Sequence, residues 1–282
     1  MYKNFYTVYT GFVALGMKKL SQIFCFVIVC LTIPIAVFAQ DAGDLMKQGA
    51  DAFNAGKYDD AIAKYNDALK IDAKYPQGYY NIGLAYFGAK RYADAELAAV
   101  EALKLAPQNP SNHRLYALVT FHQNKRGNAF LGFTSFLLLE SNSSRSAEAV
   151  TNMQSILRGG ILKDAPGSKG PDAYQLALNA AITKAVTSGQ AKKLTGTDLL
   201  EFELTNIFIA AGQLSEKKAD KDFFDIFFAG YLYKLAQSGN IGVFAHQIAL
   251  YINKEQTEQW LSTHNDVKDR LTEWLQTTKR EM

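Results

Sequence analysis

The stretch Gly49-Ala50-Asp51-Ala52-Phe53-Asn54-Ala55-Gly56-Lys57-Tyr58-Asp59-Asp60-Ala61 returns 34 residues later as Gly83-Leu84-Ala85-Tyr86-Phe87-Gly88-Ala89-Lys90-Arg91-Tyr92-Ala93-Asp94-Ala95. A third copy, Ala117 to Ala129, stands one more step along. Small residues recur at Gly49, Gly83 and Ala117, and again at Ala61, Ala95 and Ala129. Phe53, Phe87 and Phe121 align between them, and outside this core Ala68-Leu69 matches Ala102-Leu103 and Pro76 matches Pro110. A period of this length marks stacked helical units, each too small to bury its apolar face alone. The expected fold class is therefore all-α.

Within one copy the pattern predicts two amphipathic helices. Leu45 to Asn54 forms the first, Ala55-Gly56-Lys57 the turn, and Asp59 to Ile71 the second. Asp59 and Asp60 complement the dipole at the start of the second helix. Gly49 and Ala61 are small where the two axes cross. Phe53, Tyr65 and Leu69 fill the space between layers. Pro76 and Pro110 suit a first helical position, where a missing N–H costs nothing.

These residues resemble the tetratricopeptide repeat family. Repeat one, 42–75, carries the pattern at Gly49, Gly56, Tyr58, Ala61, Tyr65 and Ala68. Repeat two, 76–109, carries it at Gly83, Tyr86, Tyr92, Ala95, Ala102 and Pro107. Repeat three, 110–143, keeps Ala117, Ala129 and Phe133, but has Arg126 for Tyr, Phe136 for Ala and Ser141 for Pro. A partial fourth unit is expected over 144–162. The resemblance implies a right-handed superhelix of antiparallel helix pairs, with the first helix of each pair lining a concave groove that takes up a peptide or partner helix. The groove positions it implies are Met46, Ala50 and Phe53, then Tyr80, Leu84 and Phe87, then Arg114, Leu118 and Phe121. That lining is apolar and aromatic with a single cation. Of the side chains that clamp acidic C-terminal peptides in one family subset, only Asn81 is matched; Met46, Ala50, Ser111 and Leu115 depart. The expected partner is a hydrophobic or amphipathic protein segment. Aromatics at helical spacing serve a core equally well, and the chain's own C-terminal half is a rival occupant of the groove.

Ahead of the array, Met17-Lys18-Lys19 precedes an apolar run from Ile23 to Ala39, broken by Thr32 and Pro34. A positive start, an apolar middle and the exit Val37-Phe38-Ala39 read as a cleaved secretory signal over 1–39, with Met17 as an alternative start and an uncleaved anchor as the rival reading. Export to the periplasm or outer surface of a bacterium is the resulting expectation. The segment holds Lys3, Lys18 and Lys19 and no acid, so the net charge of +3 belongs to it and the remainder carries 27 basic and 27 acidic residues. Without a basic excess, nucleic acid is not an expected partner. Both cysteines, Cys25 and Cys30, also fall in the segment, which leaves the remainder without thiol or zinc–thiolate chemistry.

Lys163 to Gly170 reads as a linker, and 171–282 as a C-terminal helical region of five or six helices. Helices are expected from Pro171 to Thr187, from Thr197 to about Ala211, over Asp222–Gln237, over Val243–Ile252 and over Asp266–Thr277. The apolar stretch from Phe223 to Leu235 is too short for a membrane span and is punctuated by Asp225 and Lys234, so it reads as a buried central helix. The second helix of repeat three, Ala129 to Leu139, is apolar nearly all round and calls for a cap, which the C-terminal helices can supply. No catalytic or metal motif stands out. His113, His122, His246 and His264 lack metal spacing, and Glu201 and Glu203, two apart, cannot share a helix face. The expectation is a non-catalytic binding scaffold with no cofactor and no metal. The alternatives are an envelope enzyme built around Asp225 and His246, and a structural assembly factor whose groove is self-filled.

Overall fold

The three copies fold as three antiparallel helix pairs. In the computed structural model, which describes residues 41–75, 77–159 and 171–282, α1 (Ala42–Asn54) pairs with α2 (Tyr58–Ile71), α3 (Gly78–Gly88) with α4 (Tyr92–Leu105), and α5 (Pro110–His122) with α6 (Arg126–Leu139). Each pair turns on a residue in the left-handed backbone region: Gly56 at φ 72°, Lys90 at 59° and Asn124 at 59°. The conformation is held at the same repeat position although only the first copy has glycine there. Glycine adopts it freely, asparagine tolerates it, and lysine adopts it at a cost of about 1 kcal/mol.

Close approach explains the small residues. A Cβ on Gly49 would stand 2.4 Å from the Tyr65 ring, so Gly49 makes room for that ring. One on Gly83 would meet Leu115 of the next repeat at 2.7 Å, and one on Gly132 would meet the Ala117 Cβ at 3.0 Å. Pro110 opens α5 behind an Asn109 cap whose side chain accepts from Ser111 N at 3.0 Å. Pro76, expected to open the second repeat, lies outside the described residues, as do the signal segment and the linker.

Next comes α7 (Ser144–Leu157), capped by Ser143 and starting 34 residues after α5 starts. The Arg145 guanidinium donates to Ser111 Oγ at 3.0 Å, and Arg114 pairs with Glu148 at 2.5 Å. Each contact spans 34 residues, so α7 takes the register of a fourth first-helix. The C-terminal region comprises α8 (Ala173–Thr187), a 3-10 turn at Ala191–Lys193, α9 (Gly196–Glu216), a π-helical segment Asp225–Gly230 that runs into α10 (Tyr231–Gln237), then α11 (Ile241–Ala249), α12 (Lys254–Thr263) and α13 (Asn265–Thr277). Two boundaries differ from expectation. The helix expected to end near Ala211 continues to Glu216, and within it Gly212 sits against Tyr233, whose Cγ would lie 2.2 Å from an added Cβ. The helix expected over Val243–Ile252 occupies Ile241–Ala249, and α12 follows it where no helix was expected.

The C-terminal helices cover α6, which is buried from Gly127 to Leu138. Leu178 of α8 fills the space above Gly127, and the Gly127 N–H donates to Asn179 Oδ1 at 3.2 Å. Tyr116 of α5 stacks on Phe228 at 4.7 Å, and His113 stacks on Phe227 at 5.5 Å. Fully burying a ring such as Phe228 contributes about 2–3 kcal/mol. The Tyr251 hydroxyl donates to Ser141 O at 3.0 Å and accepts from Ser143 N at 2.9 Å, tying the turn after α11 to the turn before α7. Repeat three and the C-terminal region thus share one continuous core, while repeat one and part of repeat two form a second cluster around Ala61, Tyr65 and Ile82. Among the described residues there is no strand, and no helix is long and apolar enough to cross a membrane.

Candidate functional site

The eight residues singled out from the sequence all lie on α1, α3 and α5. Their surroundings grade along the array. Met46 on α1 is buried in the core of repeat one. Phe53, at the C-terminal end of α1, is half-buried and meets Tyr58 edge-on at 5.6 Å. Tyr80, Leu84 and Phe87 on α3, and Leu118 and Phe121 on α5, are half-buried against the larger core. The middle of the face therefore holds apolar side chains that are positioned from beneath and partly open above.

One end of that surface is an aromatic cluster. Phe87 meets Tyr92 edge-on at 5.5 Å and His122 at 5.0 Å, and His122 stacks on Tyr92 at 5.2 Å. Phe121 meets Phe133 at 6.0 Å. His122, the last residue of α5, lies inside this cluster. Burial among the rings lowers its pKa, which favours the neutral imidazole.

The other end is polar. Arg114 does not stand alone: it reaches Glu148 on α7. Sequence reading passed over Glu148, yet the same 34-residue step that links Met46, Tyr80 and Arg114 lands on it. The next two positions of that row, Asn152 and Ser155, are half-buried and polar. The face thus runs from phenylalanine to an ion pair.

The C-terminal region meets the array elsewhere. Its ring and cation contacts with the repeats fall on Lys104, His113 and Tyr116, opposite Phe223, Phe227 and Phe228. None of the eight residues singled out from the sequence takes part in these ring and cation contacts among the described residues. Complete burial lowers the His113 pKa well below the ordinary imidazole range, with Arg280 adding to the effect; its Nε2–H donates to Pro107 O at 2.8 Å.

The two residues considered for catalysis sit in separate clusters. Asp225 is fully buried, ion-paired with Lys218, and accepts from the Asp222 N–H at 3.0 Å. Tyr174 lies alongside, its phenol pKa pushed far up by burial and then by Asp225. His246 instead stacks on Trp260 at 3.5 Å, with His264 on the far face of the indole at 4.1 Å. Among the described residues no group of three or more His, Cys, Asp or Glu is placed to hold a metal ion.

The paired helices and their shared first-helix face define an all-α fold of the tetratricopeptide type, a class whose domains generally bind proteins or peptides. Residues 51–89 match a family model described as TPR repeat, and residues 76–109 one described as tetratricopeptide repeat. Among solved structures, the first TPR of Spaghetti (RPAP3) bound to the HSP90 peptide SRMEEVD is 28% identical, with 44% of this chain and 97% of that chain covered, at a TM-score of 0.40. The first TPR domain of human RPAP3 is 26% identical over 43% of this chain and 95% of that one, at 0.41. The Arabidopsis OM64 TPR domain is 16% identical over 41% and 96%, at 0.40. A comparison with curated proteins found no match.

Proposed function

We propose that the protein is a non-catalytic scaffold that takes up an apolar or amphipathic protein segment along α3, α5 and α7, and that it acts after export in a bacterial envelope. The observation that carries the reading is the half-open row Tyr80, Leu84, Phe87, Leu118 and Phe121 on one face, with the ring and cation contacts of the C-terminal region falling on Lys104, His113 and Tyr116. A bound amphipathic helix would set its apolar residues on the phenylalanine end and its polar ones beside Arg114 and Glu148, the anchor pattern of a helix in a groove. The export part rests on the residues from Met17 to Ala39 alone.

The test places a photocrosslinking residue at Leu84 or Leu118 of the chain starting at Gln40, with exposed Leu97 as the control. A protein adduct specific to the two groove positions, abolished by Phe87→Glu, is the expected result. Equal labelling from Leu97, or no adduct at all, refutes groove binding. Detection of the processed chain in the periplasmic fraction tests export separately.

A further inference from the structure

A second concavity lies away from the groove. A cavity of about 670 Å³ opens between the start of α6, the C-terminal ends of α7 and α8, and the first half of α9. Its walls are apolar, with Leu157, Val186 and Leu200 among them, and three charged side chains line it: Arg126, Arg158 and Glu203. Volumes of roughly 300–1,000 Å³ are usual for small-molecule sites.

Two of these charged groups, Glu203 and Arg126, are incompletely satisfied, while Arg158 is exposed to solvent. Glu203 is only 9% exposed and has no hydrogen-bond or ion-pair partner among the described residues. Arg126 donates through Nη2 to Ile156 O at 2.6 Å, but its Nε is buried without an acceptor. Arg158, at the end of α7, makes no ion pair among the described residues. Burial raises the Glu203 pKa to about 7. Arg126 from α6 and Arg158 are the charged side chains sharing its cavity among the described residues, α8 contributes Thr183 and Thr187, and burial alone sets the direction of the Glu203 shift. A buried carboxyl without a donor and a buried N–H without an acceptor each carry a desolvation cost that a suitable ligand would recover.

We infer that this cavity binds a short apolar peptide or amino acid with free termini, its ammonium group on Glu203 and its carboxylate on Arg126 and Arg158. A purely apolar ligand leaves both ends unpaired, and a polyanion puts like charge against Glu203. A zwitterion with apolar side chains satisfies the carboxyl, the guanidinium and the wall together. The placement also fits the two-residue spacing of Glu201 and Glu203, which turns their carboxylates to different neighbours: Glu201 faces Gly242, Glu203 the cavity.

The experiment titrates the dipeptide Leu-Leu into the chain from Gln40 by calorimetry and by methyl NMR. Saturable binding that shifts Val186 and Leu200 is expected, weakening roughly tenfold or more when the dipeptide is N-acetylated or C-amidated. Binding tightens as pH rises through about 7, because the ionised Glu203 is the form that holds an ammonium. Glu203→Gln keeps the side-chain shape and removes both the amine preference and the pH dependence. No saturable binding at millimolar dipeptide overturns the inference. So does binding indifferent to acetylation, or shifts confined to Leu84 and Leu118. The acetylated and amidated ligands decide the matter even if Glu203→Gln does not fold.

Discussion

The array and the C-terminal region are both helical, yet they build their interiors differently. Repeats one to three bury alanine, leucine and aromatic rings at fixed intervals, with polar exceptions such as His113, Asn112 and Thr120 but no buried acid, lysine or arginine among the described residues. Among the described residues the three buried charged ones, Glu203, Asp225 and Arg280, belong to the C-terminal region. Arg280 is held by Phe227 O at 3.1 Å and lies 3.8 Å over the Tyr231 ring, and burial brings its pKa down to about 10. A repeat gains its stability from neighbours of the same kind. A terminal region that must close such a stack meets a surface it does not resemble, and here it does so with a phenylalanine cluster and enclosed charges.

The junction between the two regions carries the largest expected effect. Phe228 is fully buried and stacks on Tyr116 across it. Phe228→Ala should cost about 3–5 kcal/mol by denaturant unfolding, and one cooperative transition should be lost to two as repeats one and two outlast the rest. A single unchanged transition would mean that the regions do not depend on this contact.

Acidity separates the regions with opposite signs. Glu203 has a folded-state pKa of about 7 against 4.5 for the free group, so its share of stability is intact below about pH 4.5 and is lost as pH rises through 7. His113 has a folded-state pKa depressed below 6.5, so its share is intact above that value and is lost as pH falls. From about pH 5 to pH 8 the Glu203 effect is expected to remove about 2 kcal/mol, and Glu203→Gln should flatten that limb while leaving the acid limb in place. A Glu203→Gln protein with the parent pH profile would contradict the burial of this carboxyl.

How far each region could be read follows from the same contrast. A 34-residue step located α1 to α6 to within a few residues, put all eight singled-out positions on first helices, and anticipated a partial fourth unit over 144–162, because sterics at each crossing repeat. The C-terminal region offered no period. In α12 only Thr257 is buried, and the segment from Lys254 to Thr263 has Trp260 and Leu261 as its sole large apolar residues, so no apolar stripe announces it. The helix expected to end near Ala211 runs on through Gly212, whose lack of a side chain serves the Tyr233 ring. Arg280, two residues from the end of the chain, carried no sign of burial. The Arg126–Glu203 cavity escaped for a related reason: it is assembled from four helices whose order in sequence says nothing of their meeting.

Within the array, the turn between paired helices offers a smaller test. Lys90 adopts φ 59° where repeat one has Gly56. Lys90→Gly relieves the left-handed strain and gives back part of the gain through a more flexible unfolded chain, so a net stabilisation of roughly 0.5–1 kcal/mol is expected. Asn124→Gly should do less, since asparagine tolerates the conformation. Destabilisation by Lys90→Gly would mean that the lysine contributes something beyond its backbone.

The smallest effect asks to which region α7 belongs. Arg114 and Glu148 bridge α5 and α7 at 2.5 Å with side chains 24% and 48% exposed, and a double-mutant cycle on such a pair should give a coupling of about 0.5 kcal/mol, weakening with salt. The number alone says little. Its behaviour in the Phe228→Ala background says more, because that change loosens the C-terminal region while the Arg114 and Glu148 side chains lie outside the lost contact. If α7 is the fourth first-helix of the array, held to α5 by this pair and by Arg145 to Ser111, the coupling should persist unchanged. If α7 is held chiefly by the C-terminal helices, through Tyr251 at its capped start, it should vanish with them. Persistence would extend the row of first-helix positions to Glu148, Asn152 and Ser155, and with it the length of segment that the proposed groove would hold.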